Sequence, residues 1–187
     1  MVARKEEPSQ TAFAVLGLLS FDHELSGYDL KKWADGSLKY FYWSPAISQI
    51  YSELKRLQEL DYVTSRIVVQ DEVRNKRVYK ITDAGLAALT AWVEDAPVEP
   101  PVLKHSPMLR LWLGHLAEPD QLRSIAKQHR EHASTMAEEA SQHVEGAAER
   151  DMPMPKAVLQ WAERYYEREV ECADQMLAEI DRLEGER

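Results

Sequence analysis

The sequence predicts a mainly α-helical protein with a single β-hairpin in its first half, and three observations point there. Apolar residues recur at three- and four-residue spacing through most of the chain. The period shifts to two only across residues 62–81, where β-branched and aromatic residues cluster. Pro97, Pro100 and Pro101 then mark a linker, beyond which the pattern is helical alone.

Each element has its own signal. A first helix runs from a Ser9 cap through Leu19, with Ala12, Val15, Leu16 and Leu19 on one face. Ser26 caps a second helix that ends near the breaker pair Asp35 and Gly36. After the aromatic run at 40–43, Ser44 and Pro45 supply a cap and a first-turn proline for a third helix reaching about Leu60. Its apolar stripe is Ile47, Ile50, Leu54 and Leu57. Residues 62–69 and 77–81 read as strands joined by a polar loop over 70–76, and Thr82 with Asp83 opens a fourth helix to about Glu94. Three helices, a strand, a wing, a strand and a helix is the winged helix-turn-helix order. Further on, a short apolar segment at 108–113 precedes a long helix from about Glu118 to Arg150. A break over 151–155 separates it from a last helix over about 156–183.

Composition narrows the functional classes. The 187 residues carry a net charge of −9, which is unfavourable for contact with phosphates. The acidity is uneven, however. Residues 1–90 hold 12 Lys and Arg against 12 Asp and Glu, whereas residues 91–187 hold 11 against 20. The neutral first half is therefore the candidate for binding a polyanion. No apolar run approaches the ~20 residues that span a bilayer. With no apolar leader in the first residues and one cysteine, Cys172, a cytoplasmic location is expected. No nucleophile motif, glycine-rich phosphate loop or close-spaced ligand motif indicates an enzyme.

The third helix is the candidate recognition element. With its apolar stripe turned inward, geometry leaves Ser48, Ser52 and Lys55 outward and Gln49 and Arg56 at the edges. These are short or cationic side chains of the kind that reach base edges and phosphates in a major groove. A second feature is the wing, with Arg74, Asn75, Lys76 and Arg77 expected at the hairpin tip, where a ribbon can reach adjacent backbone or minor groove. Asp71 and Glu72 on the same loop weaken its field.

These blocks resemble a family. VLGLL at 15–19, SGYDL at 26–30, QIYSELKRL at 49–57 and VYKITDAG at 78–85 occur in order and closely resemble the PadR family of bacterial regulators. PMLRL at 107–111 and the long helices after it resemble, more loosely, the C-terminal dimerisation region of the longer PadR-like proteins. The resemblance implies a homodimer that binds an inverted-repeat operator, usually as a repressor. It also implies that Tyr28, Gln49, Tyr51 and Lys55 lie near DNA, with Ser44 at the start of the recognition helix and the wing around residues 74–77 alongside. Tyr51 borders the apolar stripe, so a half-buried core role stays open. Release by a small planar or apolar effector would act by changing how two recognition helices fit successive major grooves.

The expected parts are thus a DNA-binding unit over 9–95 and a helical dimerisation unit over 105–187. Dimerisation has support from the residues themselves. In the last helix Val158, Trp161, Tyr165, Cys172 and Met176 form one stripe, and Tyr166, Val170, Ala173, Leu177 and Ile180 an adjacent one. A single neighbouring helix covers one such stripe, and a second copy is the simplest cover for the other. The alternative reading of the whole chain is a winged-helix protein-interaction module that does not touch DNA, which its acidity would suit. His129, His132 and His143, with Glu139, are the only hint of a metal. They adjoin a packing seam of Leu122, Ile125 and Met136, so no metal or cofactor is expected. Cys172 reads as a packing residue. Trp33, Trp43, Trp92, Trp112 and Trp161 suffice to line an effector pocket, though tryptophans in a chain this size are mostly core.

Overall fold

The computed structural model describes residues 8–21, 24–70 and 73–186, with the side chains of Gln70, Val73 and Arg74 also outside the description. The chain divides into two compact units, residues 1–99 and 100–187.

In the first unit the capping residues set the helix starts. Ser9 Oγ accepts the Ala12 N–H at 3.0 Å and starts α1 (Gln10–Leu19). Ser26 and Asp29 cap each other's backbone N–H groups at the start of α2 (Gly27–Gly36), a reciprocal arrangement that satisfies two otherwise orphaned donors. A 3₁₀ turn, Leu38–Tyr40, leads to α3 (Ile47–Glu59). The antiparallel strands β1 (Val63–Gln70) and β2 (Val73–Ile81) form the wing. Thr82 Oγ1 then caps α4 (Asp83–Asp95) through the Gly85 N–H. The core is aliphatic: Val15, Leu16, Leu19, Leu30, Ile50, Leu54 and Leu57 are fully buried.

Two close fits join the wing to this core. Leu25 exchanges both backbone hydrogen bonds with Tyr79 of β2, adding a one-residue third strand directly before the α2 cap. At the other end, α3 closes with Asp61 in the left-handed region (φ 62°). The Asp61 N–H then reaches the Gln58 carbonyl and the Tyr62 N–H the Leu57 carbonyl, the Schellman pattern. Thr82 bonds the Asp61 carbonyl, and a Cβ at Gly85 would lie 2.2 Å from the Tyr62 oxygen. Only glycine lets α4 approach that turn.

The second unit holds α5 (Ser106–Trp112), a 3₁₀ turn (Gly114–Leu116), α6 (Pro119–Glu149) and α7 (Pro153–Gly185). Helices α6 and α7 form an antiparallel hairpin, as the pairs Arg123–Asp181 and Arg130–Asp174 show. The α6 side of the seam is built on alanines spaced seven apart, Ala126, Ala133, Ala140 and Ala147, all buried. Leu159, Ala162, Ala173 and Ile180 answer from α7.

Several expectations need correction. Ser44 does not cap α3. The cap residue is Ala46, whose N–H is taken by Gln49 Oε1 at 2.8 Å, while Pro45 is buried in the core and Ser44 turns to Asp35 and Lys31. Ile47, the first residue of α3, lies outside the buried stripe and is exposed. The wing loop is shorter than its polarity suggested. Residues 73–76 belong to β2, because a backbone ladder needs no apolar side chains, and Lys76 pairs with Val68. Helix α7 begins at Pro153, not residue 156, since first-turn prolines lack only N–H groups that the helix does not use. Asp151, in the left-handed region (φ 52°), makes the break.

Candidate nucleic-acid interface

The burial of Ile50, Leu54 and Leu57 fixes which way α3 faces. Ser48, Ser52 and Lys55 emerge on its exposed side, and the Lys55 side chain is 82% exposed with Glu59 only at 4.0 Å. Gln49 is exposed too, although its Oε1 is engaged in capping. Arg56 is half-buried. One more bond anchors the helix: Glu53 Oε1 accepts from Ser9 Oγ at 3.1 Å, tying α3 to the start of α1.

Tyr51 reaches the start of α2, at the residue before Tyr28, through a fit to glycine. A Cβ on Gly27 would lie 2.6 Å from Tyr51 Cζ, so the phenol end of the ring packs directly on the first residue of α2. The ring keeps 47% exposure, and neighbouring Tyr28 has 72%. Part of the Tyr51 ring therefore packs, and part faces out. Ser44 is half-buried and joins Lys31 and Asp35 in a hydrogen-bonded cluster at the far end of α2.

The wing cations do not act as one tip. Asn75 and Arg77 are exposed along β2, and the side chain of Arg74 lies outside the described residues. Lys76 turns the other way, with its Nζ 2.7 Å from Asp29 Oδ2. Burial pushes the Asp29 carboxyl up, but hydrogen bonds from Lys76 and Ser26 outweigh it and hold the group below the usual carboxylate range. The same carboxylate thus caps α2 and neutralises a wing lysine. That pairing joins residues 47 apart and has no local sequence signal. On the same face of the hairpin, from β1, Arg66 is paired with Glu24.

In the second unit, the covered face of α7 includes Ala173 and Ile180, which their own chain buries and which are not offered to a second copy. Tyr166, Val170 and Leu177 are half-covered. The other stripe stays open: Trp161 is 54% exposed and stacks on Tyr165 at 5.6 Å, Cys172 is exposed, and Val158 and Met176 are partly covered. The five tryptophans differ in setting. Trp33 meets Phe21 edge-on, Trp92 stacks on Phe13 at 4.9 Å, and Trp43 and Trp112 are exposed. Of the α6 histidines that hinted at a metal, His132 and His143 are exposed, and His143 Nδ1 faces the Glu139 carbonyl. His129 instead meets His105 and Glu169, the residue combination best able to hold a metal among the described residues. Among those residues no helix is long and apolar enough to cross a membrane.

Comparison with known proteins agrees with this geometry. Residues 15–91 match the family described as the transcriptional regulator PadR-like family. A negative transcriptional regulator PadR of Bacillus subtilis (strain 168) is 37% identical over 100 residues, 54% of this chain and 54% of that protein. The chain thus spans about half the length of this curated relative. The crystal structure of Bacillus subtilis PadR in complex with operator DNA superposes with a TM-score of 0.74 at 26% identity, covering 92% of this chain and 99% of that one. The same protein in complex with p-coumaric acid gives 0.66 at 26% identity, over 91% and 98%. Through the winged unit at residues 15–91, the chain is similar to the PadR-like family of transcriptional regulators.

Proposed function

We propose that this chain is a homodimeric repressor that binds an inverted-repeat operator through α3 and the wing. In this reading residues 9–95 read the DNA and residues 105–187 hold two copies together. The observation that carries it is the split character of α3: three large aliphatic residues fully buried beneath an outward row of Ser48, Ser52 and Lys55, with Tyr28 and Tyr51 beside it. Short hydroxyls permit close approach to a groove, and the lysine supplies a phosphate contact. The relative solved with operator DNA supports the same ligand class. Local charge is modest because Lys31 and Lys76 are already paired with Asp35 and Asp29. Affinity then rests on few phosphate contacts, and its salt dependence is shallow. The open stripe of α7 around Trp161 and Tyr165 is the face given to the second copy. A small planar or apolar effector lowers operator affinity, a reading supported by the relative solved with p-coumaric acid.

A mobility-shift titration against the DNA upstream of the protein's own gene tests the proposal. The wild-type chain is expected to shift that DNA, and Lys55→Ala with Arg77→Ala to abolish the shift at moderate salt. The slope of log affinity against log salt should fall by about one for each phosphate that a variant no longer neutralises. Trp161→Glu should yield a monomer by sedimentation and weaken the shift. Failure to shift at any salt would leave the winged unit as a protein-docking module.

A further inference from the structure

We propose that His105, His129 and Glu169 form a site for a divalent transition-metal ion, with zinc the readiest occupant. The three residues come from separate places in the second unit: the residue before α5, the middle of α6 and the middle of α7. The hairpin brings them together. His105 Nε2 and His129 Nε2 each lie 3.0 Å from the same Glu169 oxygen, and the three donor atoms are all within 4.8 Å of one another. The two rings sit 4.6 Å apart at 68°, so their ring nitrogens converge and the rings do not stack face to face. A tetrahedral zinc with bonds of about 2.0–2.2 Å holds its ligand atoms roughly 3.3–3.5 Å apart. Each nitrogen–oxygen separation need widen only slightly to admit the ion. Two imidazoles and a carboxylate favour zinc and its first-row neighbours over calcium or magnesium, which require oxygen ligands.

The surroundings have the features that such sites need. The three side chains are 10–19% exposed, which is sheltered yet reachable by a small ion. Glu169 is kept anionic although burial pushes its carboxyl up, because the bonds from the two histidines outweigh that effect. Tyr165 bonds the same carboxylate, and its hydroxyl is pushed up by burial first and by Glu169 next. A hydroxyl partner of this kind orients a ligating carboxylate. With three protein ligands the fourth position remains for water or another small ligand.

Occupancy would also reach α5. His105 Nδ1 accepts the Met108 N–H at 3.2 Å, so in the metal-free protein the ring's proton sits on Nε2 and faces Glu169. Coordination uses the Nε2 lone pair of each ring, and each ring's proton moves from Nε2 to Nδ1. No proton is released overall. In His105 the new Nδ1–H faces another N–H, so the bond that starts α5 is given up when the ion binds.

Equilibrium dialysis of the full-length protein against zinc alone, with the metal counted by mass spectrometry, tests the site. One ion per chain is expected at micromolar zinc. His129→Ala and Glu169→Gln should each weaken binding at least tenfold, while His132→Ala and His143→Ala leave it unchanged. His105→Asn separates ligation from folding, because asparagine can still cap α5 but does not replace the imidazole. It should lose zinc and keep a wild-type circular dichroism spectrum. Cobalt should give the visible absorption of a four-coordinate site in the wild type only. No zinc uptake, or uptake equal in the wild type and His129→Ala, overturns the assignment. None of these readouts involves DNA, so they stand apart from the operator proposal.

Discussion

The two units of this protein solve burial in different ways. The first packs Leu, Val and Ile from four helices and a hairpin around one interior, and its buried residues lie on elements far apart in sequence. The second lays two helices of 31 and 33 residues against each other along an alanine seam and leaves large aromatic residues outside. In the first, each large side chain touches many neighbours, so loss of one is felt by all. In the second, packing runs along a line, and ion pairs such as Arg123 with Asp181 and Glu184 tie the ends. Both units still expose large apolar side chains, the first at Phe41, Tyr42 and Trp43 and the second at Trp112 and Trp161.

The largest expected effect tests the cooperative core. Leu54→Ala removes a fully buried side chain from α3 and should cost about 2–5 kcal/mol. Hydrogen exchange followed by mass spectrometry should show faster exchange throughout the first unit and little change in α6 and α7. Acceleration in both units would mean that they open as one. Next in size is Ala140→Leu, which forces a large side chain into the seam and should cost about 1–3 kcal/mol. Faster exchange should stay near the middle of the hairpin. Smallest is the Lys76–Asp29 pair, about a third exposed, where Lys76→Met should cost about 0.5 kcal/mol or less at neutral pH. Because the carboxyls of Asp29 and Asp35 are held below their ordinary value, their contribution is fully present above about pH 4 and is lost as pH falls through their folded values. Urea unfolding between pH 3 and 6 should show this decline, and Lys76→Met should make it shallower.

How far each unit can be foreseen follows the same division. Ser9, Ser26 and Thr82 are legible as caps because capping is local chemistry, and the buried stripe of α3 is legible apart from Ile47. The strands of the wing outrun their sequence signal because hydrogen-bonded backbone does not register in side-chain polarity. In the hairpin, attention to the large residues of α7 hides the seam on α6. Ala126, Ala133, Ala140 and Ala147 repeat every seven residues, yet alanine is too small and common to mark an apolar face. The candidate interface is mostly readable at α3, where all the residues sit on one helix. Lys76 misleads because its partner Asp29 reaches it only through tertiary packing. The histidine cluster escapes a reading of the sequence for the same reason: His105 and Glu169 are 64 residues apart, and only the hairpin register brings them together.

Gly85 shows how little room some of these joints allow. Its missing side chain is what lets α4 rest on the carbonyl of Tyr62, three residues past the end of the proposed reading helix and one before the wing. A methyl group at that point would pry helix from turn, and the displacement would pass directly to the two segments on either side. Freedom to vary along α4 is therefore uneven: wide at its solvent-facing Val93, absent at the position with least to show.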